Sequence, residues 1–229
     1  SEVSEFKEYN GIRCGSIFNG NDYKVFSNLN VSSSTPIQFM NAAEVYFLRA
    51  EAALRGWNAG EDAGALYEKG IMTAFSQPLG GTQSKAGDAS VYMKGTTLPK
   101  GYVDPKNPSY SDNGAGQVSV NWADATGFDE KLEKIITQKW IALFPDGQEA
   151  WSEFRRTGCP RVIRVATNNS SGRIDTKKQV ARLPYPTNLM KDYPDLAQQA
   201  VNNPEFLDGA DNGGTKLWWD KRSDKPYQN

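Results

Sequence analysis

Histidine is absent from all 229 residues of the chain. This absence excludes Ser-His-Asp and Cys-His catalysis, and it excludes every metal site that relies on imidazole. Any chemistry would therefore fall to carboxylates, lysines, tyrosines and hydroxyls. Only two cysteines occur, Cys14 and Cys159, and their separation matches no metal-ligand spacing. The simpler interpretation is two unrelated small residues; the alternative is a disulfide, which would be permitted outside the cytoplasm.

The chain also lacks a charge imbalance and a long apolar segment. Lys and Arg number 26 against 27 Asp and Glu, which leaves a net charge of −1. A nucleic-acid partner would require a basic face, so none is expected. No apolar run approaches the roughly 18 residues that cross a bilayer. With 38% hydrophobic and 23% charged residues, the composition is typical of a folded globular protein.

Two segments carry apolar residues at helical spacing. Residues 39–77 hold two such stripes joined by a short link, and small residues such as Gly70 would let the helix backbones approach closely. Residues 128–158 repeat the arrangement, with Asp129 as an N-cap and Trp140 on the apolar face. Each segment therefore predicts an antiparallel helical hairpin. The alternation of large and small residues fits stacked tetratricopeptide-like pairs as well as other two-helix packings.

Residues 78–127 contain many glycines and prolines and lack the helical spacing of apolar residues. An excursion of this length in a compact domain is usually functional or disordered, and its interspersed aromatic residues favour an ordered segment. Sugar rings stack their C–H faces on aromatic planes while Asn and Asp bond the hydroxyls, so the excursion is a candidate glycan surface. The candidate ligand-binding residues are Tyr92, Tyr102, Asp104, Asn107, Tyr110, Asp112 and Trp122.

Two other interpretations of these residues stay open. The rings could simply pack against the helices. The oxygens of Asp104, Asn107, Asp112 and Asn113 could hold Ca²⁺, but their spacing matches no EF-hand loop, so a solvated turn is favoured. We therefore expect neither a metal nor another cofactor.

The last part of the chain, residues 159–229, is rich in turns. Short strands are expected at 162–165 and 179–183, pairing across a turn at Gly172. Paired tryptophans are rarely left in water, so the tail is expected to be anchored. The tryptophans expected in the core are Trp140, Trp151, Trp218 and Trp219.

Five stretches of sequence occur in a fixed order, and this order identifies a protein family more specifically than any single stretch does. They are EVYFLRAEAALRG at 44–56, IITQKWIALF at 135–144, EAWSEFRRTG at 149–158, RLPYP at 182–186 and KLWWDK at 216–221. In this order they resemble the C-terminal half of the SusD/RagB family. The chain departs from the family pattern at Leu189, where many members place a Glu after Pro-Tyr-Pro.

The resemblance implies a fold and a function. The fold would be mostly α, with tetratricopeptide-like helical hairpins, long irregular loops and a few short strands. The chain would be the C-terminal portion of one SusD-like domain and hold the last two of four helical pairs. The function would be non-catalytic binding of an oligosaccharide or another small nutrient at the outer membrane surface. The nutrient would pass to a SusC-like TonB-dependent transporter, and a lipid on a preceding half of the protein would be the only link to the membrane.

Two other functions compete with this one. A tetratricopeptide-like scaffold would bind peptides or proteins in its grooves. A polysaccharide-degrading enzyme would use paired carboxylates, and Glu44 and Glu51 lie seven residues apart on one predicted helix face. Glu153 with Arg155 and Arg156 could also hold an acidic sugar. The structural alternative is favoured for these charges: an arginine that pairs with Glu44 or Glu51 would tie the two hairpins together.

Overall fold

The computed structural model describes residues 10–29, 31–36, 38–77, 86–114 and 116–222. Its α-helices are α1 (Ala42–Leu54), α2 (Ala63–Ser76), α3 (Ala86–Tyr92), α4 (Phe128–Ala142), α5 (Gly147–Thr157), α6 (Thr187–Asp192) and α7 (Pro194–Asn202). Short 3₁₀ helices lie at Gly20–Val25, Pro108–Tyr110 and Trp122–Asp124. The predicted mostly α fold is confirmed. None of the helices described here is both long and apolar enough to cross a membrane.

The chain divides into two compact units. The helical unit comprises residues 28–101 and 113–162 and contains α1 to α5. The loop unit combines residues 1–27, 102–112 and 163–229 and contains α6 and α7. The excursion predicted at 78–127 therefore contributes to both units, and its residues 78–85 lie outside the described part of the chain.

Polar side chains at the ends of the helices explain where several of them begin. Asn41 accepts a hydrogen bond from the backbone of α1, Asp62 does the same for α2, and Asp146 does so for α5. The predicted N-cap of α4, Asp129, is wrong by two positions. The helix begins at Phe128 after Gly127, and Asp129 lies in its first turn, where a carboxylate favours the positive end of the helix dipole.

The core of the helical unit lies between α1, α2 and α4. Its buried side chains are Ala43, Phe47, Ala50, Leu66, Tyr67, Ile71, Leu132, Ile135, Ile136 and Cys159. The Phe47 and Tyr67 rings meet edge to face at 6.3 Å. Gly70 lies directly against the Phe47 ring, and a Cβ at this position would approach within 2.6 Å of it. A glycine in the interior of α2 is therefore what lets α1 and α2 pack this closely.

The expectation that Trp140 belongs to the core is wrong. Trp140 is 42% exposed, and the preceding residue, Lys139, is buried in its place. The Lys139 ammonium lies 3.2 Å from Glu44, 3.1 Å from Glu149 and 3.6 Å from Glu153. At this turn α4 buries Gln138 and Lys139, and Trp140 lies on the side that faces solvent.

The predicted tie between an arginine and a carboxylate of α1 is confirmed, and the arginine is Arg156. Its guanidinium donates two hydrogen bonds to Glu51, at 2.7 and 2.5 Å, and further bonds to Glu153. Burial alone would raise the pKa of Glu51, but Arg156 and Arg55 hold that pKa below its ordinary value. The same carboxylates raise the pKa of Arg156. This ion pair joins α5 to α1.

The strand prediction for residues 162–165 and 179–183 is wrong. Among the described residues, β pairing is confined to two isolated antiparallel bridges, Tyr102–Asp112 and Leu207–Leu217. The carbonyl oxygen of Arg164 instead accepts a hydrogen bond from the Arg13 side chain, and the backbone N–H of Ala181 donates to Gly213. Each segment thus bonds to a distant loop, because turn-rich chains satisfy their buried backbone groups wherever packing supplies a partner.

The tail differs from what the sequence suggests, whereas the cysteines agree with the simpler interpretation. Trp218 and Trp219 are both exposed, so the expectation that this pair is buried is wrong. Cys14 is exposed, Cys159 is buried, and no disulfide joins them. The interpretation of the two cysteines as unrelated residues therefore holds.

The contact between Gly70 and Phe47 predicts a cost for adding one methyl group. Gly70→Ala should lower the free energy of unfolding by about 1–3 kcal/mol, because the new Cβ overlaps a buried ring. The measurement is urea unfolding followed by circular dichroism. Gly147→Ala is the matched control, since a Cβ at the first residue of α5 meets nothing within 4 Å. Equal stability of the two variants would contradict the close approach of α1 and α2.

The Arg156–Glu51 pair predicts a loss of stability that depends on pH. Arg156→Ala should cost about 2 kcal/mol at neutral pH, less than a fully buried pair because the arginine side chain is 39% exposed. The lowered pKa of Glu51 stabilises the fold above its ordinary value of 4.5, and that contribution disappears as the pH falls through the folded-state pKa. The difference from wild type should therefore shrink in acid. Arg155→Ala is the control, and a cost that does not change with pH would contradict the assignment.

Candidate functional site

Five of the seven candidate ligand-binding residues lie together in the loop unit. The bridge between Tyr102 and Asp112 closes residues 102–112 into a compact loop through two backbone hydrogen bonds, of 2.7 and 2.8 Å. This loop carries Asp104, Asn107 and Tyr110 between its two ends. We name it the 102–112 loop. It is ordered mainly by hydrogen bonds from its own side chains.

Asp104 organises the interior of the 102–112 loop. Its buried carboxylate accepts the backbone N–H groups of Lys106 and Asn107, both at 2.8 Å, and the Tyr102 hydroxyl at 2.8 Å. Burial would raise the pKa of Asp104, but these three donors hold it below its ordinary value. Burial, the bond to Asp104 and the charge of Asp104 together raise the pKa of Tyr102 to about 12. Asn107 plays a similar local part, since its side-chain oxygen accepts from the backbone and hydroxyl of Ser109.

Arg13 holds the 102–112 loop from outside, a role that sequence reasoning missed. Its guanidinium donates to the carbonyl oxygens of Tyr110 at 2.9 Å and Ser111 at 3.1 Å, and it lies 3.0 Å from the Asp112 carboxylate. Its Nε also donates to the carbonyl of Arg164 at 2.8 Å. No local sequence signal identifies this arginine, because its partners lie about 100 or more residues away in the chain.

An aromatic cluster lies beside the loop, and we name it the Phe18 cluster. The Phe18 ring contacts Tyr110 at 5.4 Å, Tyr23 at 5.6 Å and Phe26 at 5.1 Å between centroids. Phe26 is buried, whereas Tyr23 is 43% exposed. Tyr110 also bonds the backbone of Ile17 through its hydroxyl. Sequence reasoning treated this segment as turns, although its closely spaced aromatic residues could have indicated the cluster.

The other two candidate rings, Tyr92 and Trp122, belong to the helical unit and are partly buried there. The Tyr92 hydroxyl donates to Gln138 at 3.0 Å, and its ring packs on Phe75. The Trp122 ring packs on Tyr67 at 5.1 Å and lies against Gly64 of α2. The structure therefore does not place these two rings in the same unit as the other five candidates.

The carboxylates considered for catalysis each form an ion pair with a lysine or an arginine. Glu44 and Glu153 face Lys139, and Glu51 faces Arg156. Within the described residues, no group of three or more Asp, Glu, Cys or His residues is arranged to hold a metal ion. The arrangement that remains for binding is a polar loop held by hydrogen bonds, next to a partly exposed aromatic cluster.

Comparison with known proteins identifies relatives of the chain. A family model described as "SusD-like: Susd and RagB outer membrane lipoprotein" matches residues 1–220. A chitin-binding SusD homolog from Flavobacterium johnsoniae is 40% identical, with a TM-score of 0.76, over 94% of this chain and 43% of its own. A SusD homolog from Bacteroides vulgatus is 41% identical, with a TM-score of 0.78, over 96% of this chain and 44% of its own. The chain thus spans less than half the length of these relatives, and no curated protein matches it.

The hydrogen bonds of Asp104 predict how the 102–112 loop responds to acid. Asp104→Asn should lower the free energy of unfolding by about 1–2 kcal/mol at neutral pH, because it removes the charge that strengthens three hydrogen bonds. The lowered pKa means that this contribution exists above the ordinary value of 3.8 and is lost as the pH falls through the folded-state pKa.

Asp175→Asn provides the control for this measurement. Asp175 makes the same kind of turn, accepting the backbone N–H groups of Lys177 and Lys178, but it is exposed. Its substitution should cost less than about 0.5 kcal/mol. Thermal unfolding of both variants at neutral and acidic pH makes the comparison, and equal losses would show that burial of Asp104 contributes nothing.

Proposed function

The chain belongs to the SusD-like family of Susd and RagB outer membrane lipoproteins, and we propose that it binds an oligosaccharide or another small nutrient at the cell surface. The observation that carries this proposal is the 40% identity, over 94% of the chain, to a homolog that is named as chitin-binding. Oligosaccharides of chitin are therefore the first ligands to test. Chitin is built from rings with apolar C–H faces and hydrogen-bonding edges, which suits aromatic and amide side chains.

The proposed contact surface is the 102–112 loop with the Phe18 cluster. Tyr23 offers a partly exposed ring for stacking, and Asn107 and Asp112 lie on the neighbouring loop. The bonds of Asp104 and Arg13 order this loop before any ligand arrives, so binding would cost little further ordering entropy. The role of Asp104 in the proposed site is to position the loop, since its oxygens already accept three hydrogen bonds.

Tyr92 and Trp122 are also proposed to contact a ligand, but each offers only part of its ring. Both rings are packed on other aromatic rings in the helical unit, so only their open edges are available to a ligand. Truncating either should lower thermal stability as well as any affinity. This combined effect distinguishes them from Tyr23, whose exposed ring has less packing to lose.

We propose that binding proceeds without catalysis. Hydrolysis by paired carboxylates needs one acid and one free base or nucleophile. Glu44, Glu51 and Glu153 instead form ion pairs with Lys139 and Arg156, so none of them is left as a free base or nucleophile. The bound nutrient would then pass to a SusC-like TonB-dependent transporter in the outer membrane.

Calorimetry of the intact protein with chitin oligosaccharides tests the proposal, alongside a panel of other oligosaccharides. Tyr23→Ala should weaken binding about two- to ten-fold, the value of one stacked ring, and should lower the melting temperature only slightly, because the ring keeps one contact, with Phe18. Tyr193→Ala is the matched control, because Tyr193 is an exposed tyrosine of the loop unit outside the Phe18 cluster.

The outcomes separate the parts of the proposal. Failure of the wild-type protein to bind any oligosaccharide of the panel would contradict glycan binding. Equal affinities of wild type and Tyr23→Ala would remove the Phe18 cluster from the site. Release of shorter sugars during incubation would contradict the absence of catalysis.

A further inference from the structure

An ion pair joins the two parts of the proposed site, the 102–112 loop and the Phe18 cluster. The Lys106 ammonium of the loop lies 3.4 Å from the Asp22 carboxylate. Asp22 directly precedes Tyr23 in the 3₁₀ helix Gly20–Val25. The pair therefore connects the loop to the short helix that carries the exposed Tyr23 ring.

Both charged side chains of this pair start from ordered backbone. The N–H of Lys106 donates to the buried carboxylate of Asp104 at 2.8 Å, and the N–H of Asp22 donates to the carbonyl of Asn19 at 2.8 Å. Only the two side chains must therefore be ordered when the pair forms. This arrangement limits the entropy cost that usually cancels the gain from an exposed ion pair.

Two contacts of Tyr110 also join the loop to the cluster, but they hold a different part of it. The Tyr110 ring packs on Phe18, and its hydroxyl donates to the carbonyl of Ile17 at 3.4 Å. Both contacts fix the chain before the 3₁₀ helix begins at Gly20. The ion pair is the contact that fixes the helix itself against the loop.

We propose that Asp22 and Lys106 are positioning residues of the glycan site, which hold the Tyr23 ring and the Asn107 side chain at a fixed separation. Asn107 directly follows Lys106 in the loop, as Tyr23 follows Asp22 in the helix. A ligand that stacks on the ring and bonds the amide would lose affinity if this separation varied, because binding would then have to order both elements. The inference rests on the proposed function and assigns a role to two residues that act through their neighbours.

The pair should make the binding of an uncharged sugar depend on salt. An uncharged ligand forms no ion pair of its own, so its affinity would otherwise change little with ionic strength. The side chains of Lys106 and Asp22 are 37% and 41% exposed, which leaves the pair open to screening. Chitin oligosaccharides should therefore bind about two- to five-fold more weakly at about 1 M than at about 0.01 M sodium chloride.

Calorimetry of the intact protein with chitin oligosaccharides, at low and at high salt, tests the two residues. Lys106→Met and Asp22→Asn should each weaken binding about two- to five-fold at low salt and remove its salt dependence. The double variant should lose no more than either single variant, because both changes remove the same interaction. Lys106→Arg should restore most of the affinity, and so should the exchange of charges in Asp22→Lys with Lys106→Asp.

Lys69→Met is the matched control for the loss of a surface ion pair. Lys69 pairs with Glu61 in the helical unit, and both side chains are partly exposed. This variant should keep the affinity of wild type and its salt dependence.

Each alternative predicts a different result. Full affinity in Lys106→Met and Asp22→Asn, with clear binding by wild type, would overturn the positioning role and leave the proposed function intact. A loss in Lys106→Met alone would also overturn it, because the lysine would then contact the glycan without help from Asp22. Absence of binding by wild type would overturn the proposed function and this inference together.

Discussion

The helical unit depends on a group of partly buried charges between α1, α4 and α5. Lys139 of α4 faces Glu44 of α1 and Glu149 and Glu153 of α5, and Arg156 of α5 holds Glu51 of α1. Such charges are costly to bury, and removing one partner leaves the others uncompensated. The arrangement therefore permits one relative rotation of these helices and penalises others. Apolar packing alone, between residues such as Phe47 and Ile135, would be more tolerant of a shift.

The loop unit is also ordered by charged side chains, although its backbone is mostly irregular. Its long irregular segments have few backbone partners in regular structure, and buried N–H and C=O groups must still be satisfied. Asp104 accepts two N–H groups from inside the 102–112 loop, and Arg13 donates to carbonyl oxygens at its far end. An ordered loop is a suitable support for a binding surface, because the ordering entropy is lost on folding and not on binding.

The distribution of aromatic residues connects this architecture to the proposed binding. Rings between helices, such as Tyr67 and Trp122, fill the core or its border, whereas Tyr23, Phe206 and Trp218 in the loop unit remain accessible. Family membership identifies the class of protein, and exposure identifies which rings are available to a ligand. Neither fact alone would select Tyr23 as the ring of the proposed site.

The sequence by itself determined the helical segments, the family and one long-range contact. Apolar spacing encodes local structure, so α1, α2, α4 and α5 could be predicted within 39–77 and 128–158, and the charged motifs led to the arginine–glutamate tie. Only the tertiary structure decided that Lys139 is buried and Trp140 exposed, because the choice depends on carboxylates from two other helices. It also decided that residues 102–112 are held by Arg13 while Tyr92 and Trp122 pack elsewhere, and that the expected strands bond to other loops. Contacts between residues about a hundred positions apart follow from packing of the whole chain, and no local pattern carries that information.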